Sequence, residues 1–219
     1  MSNKISMLEY KRDFIRYALD NKVLKFGEFR LKSGRVSPYF FNTGLFDTGM
    51  KLGQLGQYYA QALLQSRIQV DVLYGPAYKG IPLVSATAIA YAQLTQQDIP
   101  FVFNRKEAKD HGEGGLLVGA SLKGKVIVLD DVITAGTSAR ESIEIISRNG
   151  AIPAGMLIAL DRQEKGVNDI SIIQELKQNF NLPVISIITL ADIVEYLKYD
   201  PENKRFIDAI YEYQQAYGV

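Results

Sequence analysis

The chain has no cysteine and a single histidine, His111, among its 219 residues. Without thiols it can build no disulfide, thiolate nucleophile or zinc–thiolate site. One imidazole excludes multi-histidine metal centres, and a Ser-His-Asp triad would have to recruit it from a charged, glycine-flanked stretch. A dominant charge is missing too: 25 Lys and Arg stand against 24 Asp and Glu, a formal net charge of +1. That balance makes no case for nucleic-acid or membrane binding, so clusters of cations need local reasons. No segment reads as a signal or a membrane span. The uncharged stretch Ile81–Gln97 carries Ser, Thr and Gln and reads as a buried helix. The expected setting is a reducing cytoplasm. Repeats, low-complexity tracts and linkers are also lacking.

What remains is the composition of one ordinary α/β domain, 47% hydrophobic. Met7-Leu8, Phe14-Ile15 and Ala18-Leu19 recur at helical spacing and predict an N-terminal amphipathic helix. A hairpin follows, from Phe29 to Asn42 around Ser33-Gly34, and then a helix from about Met50 to Gln65. Strands near 70–75, 100–104, 126–131, 155–160 and 184–189 alternate with helical stretches, which predicts a parallel sheet flanked by helices. Helices near 191–198 and 202–216 end the pattern.

The most informative segment runs from Val126 to Glu141. Val126 to Leu129 is apolar and β-branched, as in a strand buried on both faces. Asp130 and Asp131 end it. A loop of Val132, Ile133, Thr134, Ala135, Gly136, Thr137 and Ser138 leads into a helix, and Ser138-x-x-Glu141 matches a capping box. A strand, a small-residue loop and a helix N-terminus make a concavity of backbone N–H groups that suits a phosphate. Two acids beside it suit the hydroxyls of a ribose. Either acid alone would read as an exposed strand end; the complete arrangement reads as a ribose 5-phosphate site. No Lys follows Gly136, so this is no Walker A loop, and one glycine makes no dinucleotide fingerprint.

Three further segments bear on the ligand. Arg105, Lys106, Lys109 and His111 gather four cations within seven residues, ahead of Gly112, Gly114 and Gly115. Most charge runs are solvated loops, but this one also suits a lid over a polyanion such as pyrophosphate. Tyr78 and Lys79 follow the apolar strand Val70 to Leu73, where a loop at a strand's C-terminal end faces the ligand crevice. Phe40 and Phe41 are adjacent aromatics, a pair more often core than ligand contact.

Together these segments resemble the orotate phosphoribosyltransferases among the type I phosphoribosyltransferases, over about Val23 to Leu190. The resemblance implies transfer of ribose 5-phosphate from 5-phosphoribosyl 1-pyrophosphate (PRPP) to orotate, giving orotidine 5′-monophosphate and pyrophosphate. It implies PRPP contacts from Lys32, Tyr78, Lys79, Arg105, Lys106, Lys109, His111 and the run Asp130 to Ser138. Orotate falls to Phe40, Phe41, Thr134 and Arg162, the last just after the strand Met156 to Leu160. Asp130, Asp131, Lys106, Lys109 and His111 are the catalytic candidates. Mg²⁺ is the implied cofactor, held mainly through substrate with few direct protein ligands. The family pattern also implies a cis peptide between Ala77 and Tyr78, and a homodimer in which Lys32 and Arg105 reach the partner's PRPP. The expected domain is a single one over residues 1–219. It would carry a small hood formed mainly by about 1–48, with part of 191–219 a candidate addition. A phosphoribosyltransferase for another base, or a PRPP-sensing regulator, are the alternatives. Arg162 and the Phe pair favour an anionic planar pyrimidine, and no nucleic-acid-binding extension is visible.

Overall fold

A computed structural model describes residues 7–31, 34–109, 115–166 and 169–219. The described residues form two compact units, one within 48–159 and 172–187, the other within 7–47, 160–171 and 188–219.

The larger unit contains α2 (Gly49–Ser66), β3 (Val72–Gly75), α3 (Gly80–Thr95), β4 (Phe101–Lys109), β5 (Gly115–Gly119), β6 (Lys125–Leu129), α4 (Thr137–Arg148) and α5 (Ile172–Phe180). It also holds most of β7 (Ile152–Asp161) and β8 (Val184–Thr189). Six strands make one sheet in the order β5-β4-β3-β6-β7-β8. β3 runs parallel to both β4 and β6, and β6 runs parallel to β7. The central strands are buried along the uncharged run Val72–Gly75 and the β-branched run Val126–Leu129. α4 lays Ala139, Ile143 and Ile146 on Val72, Tyr74, Val126 and Val128 to form the core of one sheet face.

Two readings of this unit need correction. The sheet is mixed, because β5 pairs antiparallel with β4 at the edge. The charged stretch expected to be loop from its start is strand as far as Lys109. The charged part of β4 lies beyond its pairing with β3, which ends at Phe103, so Lys106 and Glu107 reach water. The uncharged helix α3 is buried on one side only: Leu83, Val84, Thr87 and Ala88 are covered, while Ile89 is 60% exposed.

The smaller unit begins with α1 (Glu9–Asp20), whose Phe14, Ile15 and Ala18 are buried at the expected spacing. β1 (Leu24–Arg30) and β2 (Val36–Phe41) form the antiparallel hairpin. α6 (Leu190–Leu197) opens on a capping box between Thr189 and Asp192, and Lys11 of α1 reaches Asp192 at 2.8 Å. α7 (Ile207–Tyr217) follows a 3₁₀ turn at Lys204–Phe206. Aromatic pairs knit this unit: Phe14 with Phe41, Phe26 with Phe206, and Tyr39 with Tyr213. Among the described residues no helix is long and apolar enough to cross a membrane.

Candidate active site

In the larger unit, the C-terminal ends of β3 and β6 open into a cleft of about 730 Å³. Such crevices at strand ends are where open α/β sheets bind ligands. The chain leaves β6 through two anchors. The Asp130 N–H donates to the Leu157 carbonyl at 3.1 Å, and the Ala159 N–H donates to the Asp131 carbonyl at 2.9 Å. The Tyr59 hydroxyl donates to the Asp130 carbonyl at 2.8 Å. With the backbone held, both carboxylates reach the cleft, which the whole run Asp130–Ser138 lines. Gly136 sits at φ 72°, a conformation that side chains rarely adopt, and turns the loop into α4. The first-turn N–H groups of α4 have no partners within the helix, so the loop and helix end offer donors and a positive dipole to an anion.

The expected capping box does not form. Gly136, not Ser138, is the N-cap of α4, and no side chain caps it. The Ser138 hydroxyl instead lies close enough to the Asp130 carboxyl to favour its charged form. Burial pushes the Asp130 carboxyl up to about 6, opposed by the hydrogen bond from the Asp131 N–H and aided by the neighbouring Asp131 charge.

The loop after β3 meets these acids. Gly75 and Gly80 touch across it: a Cβ on Gly75 would overlap the Gly80 carbonyl oxygen, so only glycine closes this turn. The peptide between Ala77 and Tyr78 is cis, as expected. The Ala77 N–H donates to Asn104 Oδ1 at 2.9 Å. Asn104 is a site residue that sequence reasoning missed, its one signal being its place beside Arg105. Lys79 Nζ lies 2.6 Å from Asp131 Oδ2. Tyr78 is 70% exposed. Arg105 and Lys106, on β4, line the same cleft. Lys79, Arg105, Lys106 and Asp130 to Ser138, Thr134 included, therefore come together.

The smaller unit holds the residues expected at orotate. β2 sends Phe40 and Phe41 to opposite faces, as neighbours on a strand must go. Phe41 is buried against Phe14, whereas Phe40 is half-exposed and stacks on Phe29 at 5.5 Å. The two rings cannot border one planar ligand together; Phe40 has the available ring and Phe41 can offer backbone. Arg162 follows β7. Its Nε donates to Glu164 Oε1 at 2.8 Å, and its guanidinium lies 4.5 Å above the Tyr39 ring. Burial disfavours the Arg162 cation, but Tyr39 and Glu164 outweigh that and hold its pKa above the ordinary value. Glu164 was not among the expected residues.

Lys32 and His111 lie outside the described residues. Lys109 is the last residue of β4, and its side chain lies outside the description. Among the described residues no cluster of three or more acidic or histidine groups could chelate a metal unaided. Mg²⁺ differs from metals held in such cages: it keeps its waters and binds through one or two carboxylates plus substrate phosphates. Asp130 and Asp131 are a donor set of that kind.

Comparison with known proteins bears on this arrangement. Residues 46–187 match the phosphoribosyl transferase domain family. The chain is 57% identical to an orotate phosphoribosyltransferase of Pseudomonas aeruginosa over 213 residues, 97% of this chain and all of that one. It is similar to the crystal structure of the Francisella tularensis orotate phosphoribosyltransferase, with a TM-score of 0.86 and 46% identity. That match covers 94% of this chain and 100% of the other. The orotate phosphoribosyltransferase of Mycobacterium tuberculosis, solved with PRPP, shares the fold: TM-score 0.61, 16% identity, 85% of this chain and 93% of that one.

Proposed function

The chain belongs to the orotate phosphoribosyltransferase family, with that family's activity in UMP biosynthesis, and we propose how its residues divide the work. One observation carries the reading. Two carboxylates, a glycine-turned loop, an open helix N-terminus and three cationic side chains share one cleft. A diol and a phosphate on one ribose, with a pyrophosphate beside it, would use all of them.

Asp130 and Asp131 bind the ribose 2′- and 3′-hydroxyls, and the loop Val132–Ser138 holds the 5-phosphate. Lys79, Arg105 and Lys106 neutralise the pyrophosphate, with Tyr78, Lys32, Lys109 and His111 as further contacts from the family pattern. As the bond from C1 to pyrophosphate breaks, pyrophosphate leaves with the electron pair and the lone pair of deprotonated orotate N1 closes on C1. C1 passes through oxocarbenium character, and the adjacent carboxylates stabilise that charge. The protein's contribution is positioning and charge complementarity, without a covalent intermediate. When bound, Mg²⁺ would neutralise the pyrophosphate further; it would be held mainly through the substrate's own oxygens, with Asp130 and Asp131 the carboxylates that could assist.

Arg162 reads the orotate carboxylate, with Phe40 and the Phe41 backbone along the ring; the family pattern adds Thr134 as a further orotate contact. Arg162 and Arg35 share the one Glu164 carboxylate, and a neutral base would leave their single excess positive charge unmatched, which argues against uracil. We further propose a homodimer in which Lys32 and Arg105 serve the partner's PRPP, so that the Arg105 meeting each pyrophosphate is the partner's, although Arg105 also lines its own chain's cleft in the single chain. Its support is the family pattern and the position of Arg105 on β4, whose hairpin with β5 lies at the sheet edge. The test of the whole reading is the absorbance of orotate, followed with PRPP and Mg²⁺. Loss of orotate with no turnover of uracil supports it; equal turnover of both bases would overturn the role given to Arg162.

A further inference from the structure

Arg162 is held chiefly by one carboxylate, with weaker contacts from its Nη2 to Ser37 Oγ at 3.4 Å and from its guanidinium to the Tyr39 ring. Two of its three guanidinium nitrogens face Glu164 Oε1, Nε at 2.8 Å and Nη2 at 2.7 Å. Both side chains are about 85% buried. The same Oε1 accepts from the Tyr213 hydroxyl at 3.1 Å and the Tyr39 hydroxyl at 3.4 Å. Burial raises the pKa of both phenols, well above the usual value for Tyr39, so both stay protonated and donate. Arg35 lies 3.6 Å from Glu164 Oε2. Two arginines thus share one carboxylate, and the cluster keeps one positive charge in excess. That surplus matches the single negative charge of a carboxylate ligand.

The backbone beneath Glu164 is held from the C-terminal segment. Lys165 N–H donates to the Tyr217 carbonyl at 2.7 Å, Val219 N–H donates to the Gln163 carbonyl at 3.1 Å, and Glu164 bridges to Gly218. Arg35 adds a cation–π contact to the Tyr217 ring at 4.7 Å. Tyr213 and Tyr217 are neighbours on α7, with ring centroids 5.0 Å apart. The loop that presents Arg162 is therefore templated on residues 213–219, some fifty positions away in sequence.

We propose that Glu164, braced by Tyr213 and the segment to Val219, is the positioning residue that aims Arg162 at the orotate carboxylate. The proposal rests on the reading of Arg162 as the orotate-binding arginine. It sets two effects of Glu164 against each other. Its charge competes with orotate for the guanidinium, while its geometry fixes that guanidinium in plane and direction. A long side chain freed of its partner loses orientation, and a charge-assisted contact depends on alignment. Positioning is the larger effect here, because Arg35 and the two phenols already share the Glu164 charge.

The experiment measures Michaelis constants for orotate and for PRPP in Glu164→Gln, Tyr213→Phe, Arg162→Ala and the double variant Arg162→Ala with Glu164→Gln. Glu164→Gln should raise the orotate constant on the order of tenfold or more, with little change for PRPP. Tyr213→Phe keeps the ring and should move the same constant in the same direction by less. The double variant should be no worse for orotate than Arg162→Ala alone, because both act through one group. If Glu164→Gln lowers the orotate constant, leaves it unchanged or shifts both substrates alike while Arg162→Ala remains selective, the positioning role is wrong. If Glu164→Gln does not fold, Tyr213→Phe decides by the same criterion. An Arg162→Ala variant that affects both substrates equally would overturn the underlying reading as well.

Discussion

Lys79 Nζ and Asp131 Oδ2 lie 2.6 Å apart across the mouth of the cleft, the lysine 61% exposed and the carboxylate 10% exposed. Both groups are assigned to PRPP, one to its pyrophosphate and the other to its ribose, and they hold each other in the ligand-free chain. A partly exposed pair of this kind contributes roughly 0–1 kcal/mol to folding. Lys79→Ala should therefore leave the melting temperature almost unchanged while raising the Michaelis constant for PRPP by about tenfold or more, the loss of one charge-assisted contact. Thermal melts alongside PRPP saturation curves check both halves. A large drop in melting temperature with normal PRPP kinetics would make the lysine structural.

Asp130 gives the opposite trade. Its folded pKa of about 6 exceeds the ordinary value near 3.8, so the folded chain binds more protons between those pH values. Stability contributed by the protonated form is complete below about 4 and is lost as pH rises through 6. At pH 7 the buried carboxylate then costs the fold roughly 1–3 kcal/mol. Asp130→Asn should melt several degrees above the wild type at pH 7, lose that advantage below pH 4, and transfer ribose phosphate far more slowly. Melting curves across pH 4–8 test it; a variant less stable than wild type at pH 7 would show that the charge is satisfied in the fold.

Much of this cleft was legible in the sequence because it is local. A β-branched run, two acids, a loop glycine and a helix follow one another without a gap, and Gly136 takes the positive φ that the turn demands. Ser138 departs from its pattern for a physical reason: a capping-box spacing cannot show that the positive-φ turn at Gly136 starts the helix two residues earlier. β5 escaped notice because five residues, Gly115–Gly119, lie behind a charged and glycine-rich stretch that reads as loop. The Glu164 clamp was out of reach for a different reason. Its partners Tyr39, Arg35 and Tyr213 are scattered along the chain and meet only when the smaller unit folds. The split of Phe40 and Phe41 could have been read from strand periodicity alone.

Arg162→Ala should raise the Michaelis constant for orotate far more than that for PRPP, by an amount equivalent to roughly 2–5 kcal/mol for a charge-assisted contact to a buried anion. Some loss of stability should accompany it, since Glu164 loses its shortest partner. Equal shifts for the two substrates would make the arginine purely structural.

Sharing of sites across a homodimer is tested by complementation. One variant carries Asp130→Asn with Asp131→Asn, the other Arg105→Ala with Lys106→Ala; each homodimer should be nearly inactive. If the cations of β4 act in the partner's site, a mixed dimer pairs the intact loop of one chain with the intact cations of the other. One wild-type site then returns per heterodimer. Arg105 and Lys106 border their own chain's cleft in the single chain, and if they act there, every mixed site keeps one defect. Co-refolded mixtures no more active than their parents would exclude sharing.

Equilibrium binding of PRPP, with Mg²⁺ present, to the wild type and to the Asp130→Asn, Asp131→Asn double variant tests the central assignment most directly. If the two carboxylates hold the ribose hydroxyls, the folded double variant should bind PRPP roughly a hundredfold more weakly. Unchanged PRPP affinity in a folded double variant would contradict the placement of the ribose at Asp130 and Asp131.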